Sequence, residues 1–206
     1  EGVTCAACHI RGHEKLGPPA PVVSRLPAHG ARARSEPRLA RSDACMPCHN
    51  LPLSSAVLGR PLIDTWREWA QSPYLPAGIQ CQHCHQPDAD HGFRGAHDRD
   101  AVRRGVRLEV NAAGARDRLR VTAAVRNVAV GHMFPTTATP RVVLRIRQLD
   151  GDGHAIAGTE ASWAIGRTVR WGEGGWDEVA DTRIAPGAAS VRTWSGRAAA
   201  GAEAVE

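Results

Sequence analysis

The pentapeptide Cys-x-x-Cys-His occurs three times in this chain, as Cys5-Ala6-Ala7-Cys8-His9, Cys45-Met46-Pro47-Cys48-His49 and Cys81-Gln82-His83-Cys84-His85, and it uses all six cysteines. No other feature constrains the chain as much. The pattern is the attachment site for c-type haem. Two thiols add across the haem vinyl groups, the two intervening residues set the reach of one helical turn, and the next His comes under the ring to ligate iron. Zinc sites also use paired cysteines at this spacing, but zinc chemistry gives no reason for His to follow the second Cys each time. A disulfide closed inside Cys-x-x-Cys is redox-active and strained, not a framework. The sequence therefore predicts three haems c, with thioethers at Cys5, Cys8, Cys45, Cys48, Cys81 and Cys84 and proximal iron ligands His9, His49 and His85.

A length of 206 residues suggests one or two domains. Aromatic residues are only 4%, against 21 Gly and 14 Pro, which points to a loop-rich chain. No apolar run approaches the ~18 residues of a membrane span, so no membrane crossing is expected. The formal charge of +5 rests on 25 Arg and a single Lys. Those Arg residues are scattered among acids, and haem propionates suit Arg as partners, so nucleic acid is not an expected partner. Haem joins this motif after export. That places the protein in the periplasm, outside the cell or on the cell surface, and implies a signal sequence already removed.

Residues 1–104 hold every motif and little that builds a conventional core. From Arg11 to Ser42 no helical or strand period persists, and porphyrin faces are expected to replace the missing side chains. One helix is expected, with Thr65-Trp66-Arg67-Glu68 as a capping box, Leu62, Ile63, Trp66, Trp69 and Ala70 as its apolar stripe, and Ser72-Pro73 as its end. A short turn at Ser42-Asp43 can cap the second motif. From Gly105 the period becomes two, at Val106–Val110, Leu119–Val125 and Val142–Arg147, with further strands expected over 163–170, 177–184 and 190–194. The fold class predicted is mixed: a loop-rich, haem-packed multihaem cytochrome c region with short helices (1–104), then an immunoglobulin-like β-sandwich (105–206) that supplies a distal haem ligand.

A haem with two axial His is saturated and moves electrons without binding substrate, so the remaining His residues decide the chemistry. His132, in the Gly131-His132-Met133-Phe134-Pro135 loop, ranks first as a distal ligand, because a plain hairpin would leave two bulky apolar residues uncovered. His97 ranks next, with Asp98 poised to orient its other ring nitrogen. His29 follows, lying mid-loop between two motifs, and then His91. His83 sits inside a motif, His154 follows a turn, and His13 is too near His9 to share its ring. Met46 has the wrong geometry, and Met133 is the weaker neighbour of His132.

The chain resembles the bacterial multihaem c-type cytochromes with a C-terminal immunoglobulin-like domain. The resemblance rests on Glu1 to Cys5, Glu68-Trp69-Ala70-Gln71-Ser72-Pro73-Tyr74 leading into Gly78-Ile79-Gln80-Cys81, Gly95-Ala96-His97-Asp98, and Asn127 through Thr136. It implies an electron carrier outside the cytoplasm, with His132 of the Gly-His-x-x-Pro loop as an axial ligand. Members often carry a further motif upstream of the first one here, and the group contains or neighbours proteins that stack into extracellular haem filaments.

Electron transfer through three mostly bis-His haems is thus the leading expectation, with redox proteins or extracellular electron acceptors as partners and no enzymatic activity. One alternative is a subunit that self-assembles into an extracellular cytochrome filament or docks in a larger redox complex. Another is a haem enzyme of the nitrite or hydroxylamine type, which needs one open iron and nearby acid–base groups. A third gives the β region a recognition role through Trp171 and Trp176.

Overall fold

The structure is a computed structural model that describes residues 3–19, 33–52, 56–57, 60–89, 91–115 and 118–206. Its helices are short: α1 (Cys5–His9), α2 (Met46–His49), α3 (Thr65–Ala70), α4 (Cys81–His85) and α5 (Arg99–Gly105). The strands of the first half are β1 (Ile10–Arg11), β2 (Glu14–Gly17), β3 (Arg34–Ser35), β4 (Ala56–Val57) and β5 (Arg60–Pro61). They pair in the order β1-β2-β3 and β4-β5, with β2 and β3 parallel. The second half contributes β6 (Val106–Ala115), β7 (Arg118–Asn127), β8 (Val142–Ile146), β9 (Gln148–Leu149), β10 (Ala161–Ile165), β11 (Arg167–Gly172), β12 (Gly175–Asp181), β13 (Ala189–Arg197) and β14 (Ala204–Val205). These form a β13-β7-β6 sheet and the pairs β10-β8, β11-β12 and β14-β9.

The expected fold class is corrected by this arrangement. Strand exceeds helix by 38% to 20%, and the strands are dispersed over six sheets of two or three strands among the described residues. The chain is mixed, as expected, but strand-dominated and divided among small sheets, not a loop-and-helix region followed by one continuous sandwich. Two local causes can be named. Among the described residues of the stretch from Arg11 to Ser42, which has no hydrophobic period, backbone pairing joins Ile10 with Lys15 and Leu16 with Arg34. Further on, the expected continuous strand over 163–170 breaks at Gly166. The chain then leaves β8 and pairs with β12 instead, with a register shift between Thr168 and Val169.

The apolar core lies where β7 meets β8 and β10. Val121, Ala123 and Val125 alternate inward along β7 against Leu144, Ile146, Ile165 and Ile184. The alternation in β6 has a different outcome, because β6 is an edge strand: Leu108 and Val110 stay exposed.

Buried Arg side chains tie the two halves of the chain together. Arg167, 1% exposed, donates from Nη1 to the Pro61 carbonyl at 2.8 Å and pairs through Nε with Glu178 at 2.7 Å. Arg60 pairs with Glu178 and Asp181. Arg183 bridges Glu68 of α3 and Asp181 of β12, each at 2.9 Å. Glu68 is therefore already engaged, and the capping box expected at Thr65–Glu68 does not form. Asp64 is the N-cap residue without a side-chain cap bond, and the Thr65 hydroxyl meets that of Thr136 at 2.5 Å.

Candidate functional site

Each Cys-x-x-Cys-His motif coincides with one short helix, α1, α2 or α4. A single turn brings the two thiols, three residues apart, to one face and leaves His at its C-terminal end. The third helix is the most firmly closed. The Gln80 side chain and the His83 ring cap it reciprocally, with His83 Nδ1 accepting the Gln80 N–H at 2.7 Å. His83, read from sequence as a bystander, is thus a capping group.

The imidazoles of two motifs face imidazoles from distant parts of the chain. The His85 and His132 rings have centroids 6.2 Å apart and planes within 15° of parallel. The His9 and His91 rings have centroids 6.0 Å apart and planes inclined by 41°. Two imidazoles sharing one metal, each at about 2 Å from ring nitrogen to metal, place their centroids roughly 6 Å apart.

Orientation agrees with that reading. His9 Nδ1 lies 2.9 Å from the Leu16 carbonyl, His85 Nδ1 lies 2.5 Å from the Arg94 carbonyl, and His132 Nδ1 lies 2.9 Å from the Met133 carbonyl. A carbonyl only accepts, so Nδ1 carries the proton and Nε2 keeps its lone pair for a metal. The donor set fits an iron held between axial imidazoles with paired thiols beside it.

The other sequence candidates fall differently. His91, ranked last, is the candidate whose ring lies beside His9. His97 is exposed, and the Asp98 carboxylate accepts the Asp100 and Ala101 N–H groups at the N-terminus of α5 instead of orienting its ring. His29 lies outside the described residues. His49 is exposed, and no second imidazole stacks on it among the described residues. Met46 is 41% exposed.

The loop that carries His132 is built by residues the sequence did not single out. Asn127, fully buried, donates from Nδ2 to the His132 and Ile184 carbonyls and accepts the Val130 N–H at 2.9 Å. The loop then crosses the turn after α3 so closely that a Cβ on Gly131 would stand 2.6 Å from the Tyr74 ring. Glu68 accepts the Met133 N–H at 3.2 Å, and Phe134 exchanges backbone hydrogen bonds with Ile184 before a cis bond to Pro135. Burial pushes the His132 imidazole down to about 4, against a smaller opposing pull from the Met133 carbonyl. The ring is therefore neutral, as a metal ligand must be.

The second and third motifs are joined. Ser42, expected to cap the second motif, instead accepts the Cys81 N–H on its hydroxyl at 2.9 Å and donates its own N–H to Gln80 Oε1 at 2.9 Å. Gln82 Nε2 donates to the Arg41 carbonyl at 2.7 Å. The Cys45 thiol and the Ser42 hydroxyl, against burial, bring the Cys81 thiol down to about 7, while the Cys81 thiol and burial push Cys45 up.

Comparison with known proteins adds one relationship. The chain is similar in fold to the crystal structure of a penta-heme cytochrome c552 from Thermochromatium tepidum, with a TM-score of 0.67 at 20% sequence identity, over 100% of this chain and 68% of that one. No family model matches the sequence, and no curated protein matches it.

Proposed function

We propose that this chain carries three covalently attached haems c and passes electrons among them outside the cytoplasm. The observation that carries the reading is the pairing of a motif His with a distant His at the spacing of two ligands on one iron, once for His9 with His91 and once for His85 with His132. The cysteines of each motif would hold the haem through thioethers, and the bound groups would supply one-electron chemistry at iron. The chain's own part is to fix the axial rings. Carbonyl groups of Leu16, Arg94 and Met133 hold the Nδ1 protons and aim Nε2 inward. An iron ligated on both faces has no place for a substrate, which favours relay over catalysis at the first and third sites. The shared fold with a penta-heme cytochrome supports the same reading.

His49 would be the proximal ligand of the second site. Residues 1–104 would form the haem-attachment region, and residues 105–206 would supply His132 across their boundary. Redox proteins or extracellular acceptors are the proposed partners, in the periplasm or at the cell surface.

A pyridine haemochrome assay on exported protein, combined with low-temperature paramagnetic resonance, tests this reading. Three haems per chain with low-spin signals for the first and third sites are expected. Colourless protein, or protein that binds zinc at the cysteines, would overturn it.

A further inference from the structure

The second and third motifs are far apart in sequence, yet one buried residue binds them into a unit. Ser42 is 0% exposed, and both its polar groups are spent on the third motif: Oγ on the Cys81 N–H and its own N–H on Gln80 Oε1. Ser42 also opens the turn Ser42–Ala44, whose next residue is Cys45, and the Cys45 N–H donates back to the Ser42 carbonyl at 2.9 Å. A single residue thus fixes the first cysteine of one motif and the first cysteine of the next. Gln82 adds a second strap, from Nε2 to the Leu39 and Arg41 carbonyls. The result is that the backbone N–H groups of Cys45 and Cys81 both hang on Ser42, one on its carbonyl and one on its hydroxyl.

We propose that Ser42 is a positioning residue that clasps the second and third haem sites side by side, making the reduction of one depend on the state of the other. This rests on the haem reading above. In the loaded protein Cys45 and Cys81 would be attachment points of two redox centres, so the clasp would hold those centres near one another. The step is a one-electron exchange: one centre is oxidised as the other is reduced, and no bond forms or breaks. Two centres held near one another also have their charges near one another. Reduction of one therefore shifts the potential of its neighbour. The first site shares no such side-chain clasp with either among the described residues.

The test is a potentiometric titration of the loaded protein, followed by optical and paramagnetic resonance spectra, on the natural chain and on Ser42→Ala, with Ser42→Thr as the variant that keeps the hydroxyl. In the natural chain two of the three reduction steps should interact, each broadened or split by the state of the other, with matching magnetic interaction between two centres. Ser42→Ala should retain three haems per chain and lose that interaction, and Ser42→Thr should restore it. Gln80→Ala, which removes the acceptor for the Ser42 N–H, gives an independent arm if Ser42→Ala loads poorly, and should weaken the interaction likewise. A merely structural role would move one midpoint and leave the interaction intact, which overturns the proposal. Three independent reduction steps in the natural chain overturn it too. Absence of haem would instead sink the underlying reading, so the two failures are distinct.

Discussion

The His85 and His132 rings face each other at 6.2 Å, nearly parallel, although one closes the third Cys-x-x-Cys-His helix and the other sits in a loop after β7. The His9 and His91 pair is separated similarly but twisted to 41°. Ligand-plane angle governs the splitting of iron d orbitals in a low-spin bis-imidazole centre. Two distinguishable low-spin signals are therefore expected from the first and third sites, the more rhombic one from His85–His132. Assignment is made by replacing one distal His at a time and recording which signal disappears.

Replacement of His132 by Gly should leave the haem count unchanged, because attachment depends on the cysteines. It should turn the third site high-spin. Added imidazole should restore the low-spin spectrum by filling the space of the lost side chain. Unchanged spectra in His132→Gly would remove His132 from the iron.

His91 and His97 separate cleanly. His91→Ala should open the first site to cyanide, whereas His97→Ala should leave every spectrum as it was. The opposite result would return the assignment to the sequence-based ranking. Asp98→Asn should also be silent, since Asn caps a helix as well as Asp does, while Asp98→Ala should increase amide exchange at Asp100 and Ala101.

Gly131→Ala brings a methyl group to within 2.6 Å of the Tyr74 ring. Overpacking of this kind costs about 1–3 kcal/mol, and the loop has little room to yield. A lower melting temperature is expected, together with weaker ligation at the third site, read as a partial high-spin band. Gly131→Ala with Tyr74→Ala together should recover most of the ligation.

Arg183 is only 4% exposed in its side chain and lies between Glu68 and Asp181. Removing the cation leaves Glu68 without its ion-pair partner and Asp181 with only the half-exposed Arg60, so Arg183→Met should destabilise the fold by about 3 kcal/mol in denaturant melts. Exposed Arg103, opposite Asp100 at 3.8 Å, should contribute far less when replaced. Equal effects from the two substitutions would argue that the buried network is not structural.

How much of this was legible in the sequence follows from contact range. The three motifs are contiguous, so one helical turn decides their chemistry and the pattern is readable directly. The strand alternation of β7 was readable because one face is buried from Val121 to Asn127. Among the candidate distal His residues, His132 was ranked first and lies beside His85, whereas His91, ranked last, lies beside His9, because its place depends on long-range packing. His97 was favoured for its neighbour Asp98, yet that carboxylate is taken up by the N-terminus of α5. The sandwich expectation failed for a related reason: spacing of strands does not say which strand each will pair with, and the break at Gly166 moves β11 to a different partner. Ser42 was read only as a cap for its own motif, and Asn127 only as the start of the His132 stretch, not for the partners they take. A buried Ser or Asn looks like any loop residue until its hydrogen-bond partners are known.

Asn127 holds the His132 loop through three hydrogen bonds from one amide, so that ring cannot easily swing aside. On the proposed reading, an outside ligand such as cyanide would have to wait for the loop itself to open before reaching the third iron. Entry there should be slow, independent of cyanide concentration once saturating, and hastened by Asn127→Ala.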